Sequence, residues 1–545
     1  MKLLYNARVY SLDREDATTS AILIQGERIR ALGESSQMLL ECKGTAETFD
    51  LHGAPVIPGL TDAHIHLEHY ALSLQKVDCE TASLTECLRR VSERIHITPP
   101  GEWILGHGWN QNNWPEGFGT AQQLDSIAPH HPVYLTAKSL HAAWANSTAL
   151  KLAGITSITP DPQDGRIGGD AQGKPNGILF EAAMQLVADV IPIPAASQLA
   201  EAIRAAQPAL WQMGLTGVHD FDRQRCFTAL QMLHARDELK MRVLKSLPLE
   251  DLPHAIALGL RSGFGDDWLR IGGIKAFADG ALGPRTAAML QPYENEPDNR
   301  GMLMLDAEQL FEHGRLAVEN GFSLAVHAIG DRAVHEVLNA FEQLRVYERQ
   351  VTGDNLHQTG DKSRRSGVSS HLPHRIEHVQ LIHPDDSSRL AQLDMVASMQ
   401  PIHATSDMRM ADQYWGKRAD LAYAWKTQLD SGAVLAFGSD APVESPNPWW
   451  GLHAAVTRCR ADGSPGPDGW RPDQKVSVLA GLHGFTRGAA VAAGMADRLG
   501  RVAPGYLADL VVLDTDPFTC DPHALKDVRP LATMIGGEWV WRGGL

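Results

Sequence analysis

Eight short apolar runs, spaced through the middle of the chain, constrain its fold more than any other feature. They are Pro55–Ala63, Leu215–Asp220, Met241–Leu247, Leu269–Ala276, Phe322–Ala328, His374–Val379, Asp394–Gln400 and Ala433–Ser439. Near-continuous hydrophobicity suits strands buried on both faces of a parallel sheet, not strands with one wet face. Helical stretches separate the runs, so each strand is expected to return to the sheet through a crossover. Repeated in this way, the units predict an α/β fold, a (β/α)8 TIM-type barrel. An open doubly wound sheet is the alternative, but no glycine-rich phosphate loop opens the first strand–helix unit.

The chain ends read differently. Leu3–Tyr10 and Ala21–Leu32 alternate apolar and polar residues, and Ala508–Leu513, Ala532–Ile535 and Trp539–Trp541 look similar around Gly536-Gly537. One small β-sandwich built from residues 1–55 and 501–545 accounts for both ends, with the barrel over 56–500 between them. Roughly 150 residues separate the first barrel run from the second, far more than one helix needs. An inserted subdomain over about 70–210 is expected there, lying over one end of the barrel. It holds Trp103, Trp109, Trp114, Trp144 and the strand-like run Val133–Ala137. Gln350–His371 is polar and rich in Gly and Ser, and is expected to form an exposed loop.

Composition removes several function classes. Hydrophobic residues make up 43% of the 545, which is ample for a core and excludes disorder as the main state. Lys and Arg number 49 against 65 Asp and Glu, a net charge of −16, which argues against nucleic acid or an anionic membrane as partner. No run of ~18 apolar residues predicts a membrane span, and the start of the chain lacks the apolar run of a signal peptide. The 6 cysteines include no C-x-x-C pair, which points to free thiols in a reducing, cytoplasmic setting. The expected partner is a small-molecule substrate, with a homodimer as the default assembly.

In a barrel the active site lies at the C-terminal ends of the strands. The first run ends in Asp62-Ala63-His64-Ile65-His66, the fourth reaches Lys275, the fifth His327, the sixth His378 and the eighth Asp440. On an extended strand residues i and i+2 share a face, so His64 and His66 can reach one cation. Taken singly, His327 reads equally as a hydrogen-bonded core histidine, and Asp440 as a helix cap or ion-pair partner. Their coincidence at equivalent strand ends is what indicates a divalent metal of the zinc, manganese or iron kind. Lys275 cannot ligate as an ammonium. Either it forms a salt bridge, for instance to Asp279, or CO₂ carbamylates it and makes a carboxylate on a long stem. Two nearby cations would help remove its proton, whose reference pKa is ~10.4.

The segments PGLTDAHIH (58–66), GWNQNNW (108–114), LHAAWANSTAL (140–150), GILFEAA (177–183), GIKAFADGALGPRTA (273–287), HAIGDRAV (327–334), HRIEHVQ (374–380), FGSDAPVE (437–444) and PGYLADLVVLD (504–514) span almost the whole chain in order. With them the sequence resembles the amidohydrolase superfamily, and within it the YtcJ-like branch that includes N-substituted formamide deformylases. The resemblance implies the barrel and the β-sandwich. It implies His64, His66, His327 and His378 as metal ligands, Asp440 as ligand and proton shuttle, and Lys275 as a bridging carbamate. It also places the segment with Trp109 and His141 over the metal site, and makes Glu181, Asp279 and Arg285 pocket candidates. Lys138-Ser139-Leu140 stands where similar sequences often read Asp-Gly before the histidine.

The chemistry expected is hydrolysis of a non-peptide C–N bond, an amide or a formamide with an apolar N-substituent, by metal-activated hydroxide. Two zinc ions per chain are expected, with manganese, iron or cobalt as substitutes. Asp440 would act as general base and then general acid. His141 would donate to the oxyanion, or else pack structurally near Trp144. Trp103, Trp109 and Trp114 would wall an apolar pocket or fill the insertion core. Arg285 would bind a substrate carboxylate or pair with Asp279. A mononuclear aminohydrolase (deaminase) keeps the fold without the carbamate. A non-catalytic ligand-binding or regulatory barrel would have no use for the full set of ligands.

Overall fold

The apolar runs of the middle region pair edge to edge, in parallel and in sequence order. The computed structural model describes residues 1–16, 18–139, 141–356 and 372–545, with the backbone alone for 351–356. The barrel strands are β1 (Leu60–Ile65), β2 (Leu215–Asp220), β3 (Arg242–Pro248), β4 (Leu269–Phe277), β5 (Leu324–Ala328), β6 (Arg375–His378), β7 (Val396–Met399) and β8 (Val434–Phe437). They form one 8-stranded sheet with every neighbouring pair parallel. At the last residue of β1 and just beyond β8 a parallel bridge joins Ile65 to Ala441. Asp440 N donates to His64 O at 2.7 Å and His66 N to Ala441 O at 2.9 Å. The sheet is thereby nearly closed, a TIM-type barrel.

The first apolar run divides into two strands in two different sheets. Pro55–Pro58 pairs with Arg8–Tyr10 and with Leu510–Leu513, so it belongs to the chain-end sheets, and β1 begins at Leu60. The break is Gly59, where a Cβ would lie 2.3 Å from Thr216 Oγ1. Unbroken hydrophobicity hides this, because both strands are fully buried.

The chain ends build two sheets. One has 4 strands (Arg28–Gly33, Ala21–Gln25, Lys2–Tyr5, Glu47–Asp50) and the other 6, among them Pro530–Ile535, Leu510–Leu513 and Pro55–Pro58. Both contribute to one core, with Leu4, Ile22 and Ile24 from the first and Val56, Val512 and Met534 from the second. Asp509 ties this part to the barrel, accepting from Arg242 Nε at 2.5 Å and from Arg242 Nη2 at 2.8 Å.

Ala71–Ala202 forms a second compact unit. Its 6-stranded mixed sheet runs in the order Gly165–Gly169, Pro175–Glu181, Ala142–Ala145, Val133–Ala137, Ile104–Trp109, Val77–Asp78. Trp109, Trp114 and Trp144 fill its core with Cys79, Cys87 and Leu135. Trp109 is 1% exposed and donates Nε1–H to Leu135 O at 2.8 Å. It is therefore core of the insertion and not a pocket wall, because both its ring and its one donor are spent inside the unit.

The Asp331–Leu356 helix runs into the stretch expected to be a loop from Gln350, since a polar segment without proline is as compatible with a helix end as with a loop. The rest of that expected loop, 357–371, and Leu140 lie outside the described residues. Among the described residues no helix is long and apolar enough to cross a membrane.

Candidate metal centre

β1 is buried along its whole length, and its alternation turns His64 and, one step beyond the strand, His66 toward the same region. His64 Nδ1 lies 2.6 Å from Glu377 Oε2, and His66 Nδ1 lies 3.0 Å from Asp222 Oδ1. A carboxylate at Nδ1 fixes the proton there and leaves the Nε2 lone pair facing inward, the usual backing of a metal-ligating imidazole. The two Nε2 atoms lie 3.5 and 3.4 Å from one atom, Asp440 Oδ1. His64 Nε2 is buried and has no hydrogen-bond partner. One ligand atom from each of His64, His66 and Asp440 falls within a 4.8 Å cluster. Imidazole and carboxylate donors aimed at a common point fit a divalent cation.

The electrostatics agree with that fit. Burial, then Lys275, pushes His64 down to about 4, so its ring is neutral. At His66 burial is outweighed by the Asp222 and Asp440 carboxylates, which raise it to about 9. A proton on His66 Nε2 then stands where a cation would, and metal binding would displace it. Asp440 stays well below the usual carboxylate range, because His66 and the neighbouring imidazoles outweigh the opposing effect of burial.

A second group adjoins the first. The His378 ring is 4.8 Å from that of His64 and 4.5 Å from that of His327. His378 Nδ1 bonds Gln400 Oε1 at 2.8 Å, which leaves Nε2 as the lone pair. His327 Nε2 donates to Gly280 O at 2.9 Å, which leaves Nδ1. Burial and the Lys275 charge bring His327 down to about 3, and burial with the other imidazoles holds His378 well below the usual range. Lys275 is buried on β4, with Nζ 4.6 Å from the Phe221 ring centre and 5.0 Å from that of Phe277. Burial is the main cause of its shift down to about 8. A cleft of about 590 Å³, lined by His66, Phe221, Asp222, Lys275 and Phe277 among others, opens beside these groups.

Two of these residues sit in strained backbone. His378 has φ 75° and Asp440 φ 60°, with the β-branched Val379 beside His378 at φ 45°. Non-glycine residues rarely hold this left-handed conformation unless their surroundings fix it, and such strain concentrates at functional sites.

The amidohydrolase family model matches residues 47–541. The chain belongs to the amidohydrolase family. It is YtcJ-like: it is 32% identical to the putative amidohydrolase YtcJ of Bacillus subtilis (strain 168), covering 98% of each chain. It is 28% identical to the N-substituted formamide deformylase of Arthrobacter pascens, covering 98% of this chain and 97% of that one. The crystal structure of an uncharacterised metal-dependent hydrolase from Pyrococcus furiosus matches with a TM-score of 0.75 and 30% identity, over 95% of this chain and 100% of that one.

In this amidohydrolase-family barrel, the other pocket candidates have definite places. Asp279 is buried and accepts from the backbone N–H of Ala288, Ile329 and Gly330 at 2.8, 3.0 and 2.8 Å. It pins the loops after β4 and β5 together and pairs with neither Lys275 nor Arg285. Burial raises it to about 7. Arg285 pairs instead with Glu296 and lies 5.4 Å from the Tyr414 ring centre. In the insertion unit, His141 Nδ1 meets Glu181 Oε1 at 2.9 Å, and both side chains are exposed.

Sequence reasoning passed over the groups that hold the ligands. Glu377 is 0% exposed, and Arg375 clamps it while also donating to Ala63 O and Ser398 Oγ, both at 2.6 Å. Asp222, pushed up to about 6 by burial and then by Asp220, sits two residues past β2, and Lys245 Nζ pairs with Asp220 at 2.9 Å. His403, in the Pro401–Trp415 helix after β7, places Nε2 3.7 Å from Asp440 Oδ2. Two signals were present in the sequence: a charged Arg-x-Glu pair inside an apolar strand, and the acidic end of the second run.

Proposed function

We propose that this protein is a metal-dependent hydrolase of a non-peptide C–N bond, with an amide or an N-substituted formamide as substrate. The convergence of His64 Nε2, His66 Nε2 and Asp440 Oδ1 carries this reading, each imidazole being backed by a carboxylate. The activity named for the Arthrobacter relative supports the substrate class. His64, His66 and Asp440 would hold one divalent cation. His327 and His378, with Lys275 as a carbamate, would hold a second. In that modification CO₂ adds to the neutral amine and one proton leaves. Burial favours the neutral amine that this requires. The donor set suits zinc, with manganese, iron or cobalt as substitutes.

The chemistry such a site would supply is a water of near-neutral pKa and polarisation of a substrate carbonyl. Asp440 Oδ2, the oxygen facing His403, accepts the proton of the attacking water and returns it to the leaving nitrogen. Phe221 and Phe277 give the cleft an apolar wall for the N-substituent.

Metal analysis of the purified chain is expected to give about two ions, and native mass spectrometry one CO₂ on Lys275. A screen of N-substituted formamides and simple amides should then release amine and acid. A chain without bound metal would overturn the reading. A mononuclear aminohydrolase is the second reading, because among the described residues this compact cluster contains the His64, His66 and Asp440 donors alone, while His327 Nε2 is engaged by Gly280. One ion per chain with ammonia as product would favour it.

A further inference from the structure

β7 is the barrel strand after β3 whose end supplies no candidate ligand, yet the turn that follows it touches both strained ligands. Gln400 accepts from His378 at 2.8 Å, and three residues later His403 directs Nε2 at Asp440 Oδ2. His403 N donates to Gln400 O at 3.1 Å, so the two side chains leave one turn of backbone. His378 and Asp440 are the two candidate ligands with positive φ. Strained backbone persists only where neighbouring groups fix it.

His403 is 6% exposed and its Nε2 is buried without a hydrogen-bond partner. At 3.7 Å from Oδ2 it stands just outside hydrogen-bond range of the one carboxylate oxygen that does not face His64 and His66. An unpaired buried imidazole nitrogen is costly, so this arrangement points to a contact that closes when the centre is loaded.

We infer that His403 is a positioning residue that clamps Asp440 through Oδ2, holding Oδ1 toward His64 and His66. The inference rests on the metal-centre reading above. Imidazole suits the task because one nitrogen can donate to the carboxylate and, in the other tautomer, accept from the protonated acid. It therefore stays a partner in both states of the proton shuttle. Lys or Arg could serve only the ionised state.

The test is cobalt(II) titration of the chelator-stripped full chain, followed by visible absorption, which reports how the carboxylate ligates. In His403→Ala the two imidazoles remain, so cobalt should still bind. The affinity should fall about tenfold or more, with an altered absorption band. His403→Gln, which keeps a donor, should restore much of both. Identical spectra and affinities in His403→Ala and the parent would overturn the clamp while leaving the metal centre standing. A parent chain that binds no cobalt would overturn both. Circular dichroism of the stripped variants separates misfolding from loss of the clamp, and His403→Gln carries the test if the alanine variant fails to fold.

Discussion

Glu377 Oε2 sits 2.6 Å from His64 Nδ1, and the two side chains are 0% and 1% exposed. Here a carboxylate buried on one strand fixes the tautomer of an imidazole on another. Arg375, Lys275 and His64 hold Glu377 well below the usual carboxylate range although burial opposes them. Glu377→Gln removes the charge, lets an N–H face His64, and leaves Arg375 without its counter-ion. Metal affinity is expected to fall about 10- to 100-fold, as for other groups that orient a ligand. Competition with a chromophoric chelator measures it, and an unchanged affinity would remove Glu377 from the centre.

The Arg242–Asp509 pair, joining β3 to the chain-end sheets, is 4% and 1% exposed. Asp509 Oδ1 also accepts from Gly536 N at 2.9 Å, and Arg242 lies 4.7 Å from the Trp268 ring centre. Asp509→Ala leaves a buried guanidinium unpaired. The expected loss is about 3–5 kcal/mol, read as a shift of the urea midpoint. Arg242→Met with Asp509→Leu should recover most of it, since hydrophobic replacement of both partners removes the unpaired charge. If the single variant unfolds at the parent midpoint, the pair does not hold the two parts together.

Gly59→Ala addresses the boundary between the barrel and the chain-end sheets. The added Cβ would meet Thr216 Oγ1 at 2.3 Å and Cγ2 at 2.5 Å, on a side chain that itself hydrogen-bonds Leu60 O. Relief requires β2 to shift, with an expected cost of about 1–3 kcal/mol. Thermal unfolding checks it, and a variant as stable as the parent would show that the two strands separate for another reason.

The same glycine shows what the sequence made legible. Apolar runs bounded by helices pointed to the barrel because a strand buried on both faces leaves a compositional trace. The ends of those runs pointed to His64, Lys275, His327, His378 and Asp440 because barrel geometry brings strand ends together. Gly59 gave no such trace, since apolar residues flank it on both sides. Glu377 and Asp222 were missed because a carboxylate that backs a ligand resembles any other until its partner, hundreds of residues away in the case of Glu377, is placed beside it. His403 was missed for the same reason. For Trp109 the sequence left two readings open, pocket wall and insertion core, and the buried ring with its indole N–H spent on Leu135 O matches the second.

His453 gives the fold a pH dependence of defined sign, away from the candidate centre. It lies on the Pro448–Thr457 helix, 3% exposed, with its ring 5.9 Å from that of His523. Burial, then the nearby His523 and Lys526 charges, brings its pKa from the usual 6.5 down to about 4, while Asp527 opposes the shift. The folded state therefore keeps this ring neutral at pH values where the unfolded chain protonates it. Its contribution is fully present above 6.5 and is lost as the pH falls toward about 4. The full shift corresponds to a loss on the order of 3 kcal/mol. His453→Gln, which keeps polarity without titrating, should flatten the denaturation midpoint across that window relative to the parent. If the two proteins lose stability in parallel between these pH values, the buried ring of His453 is not the group responsible.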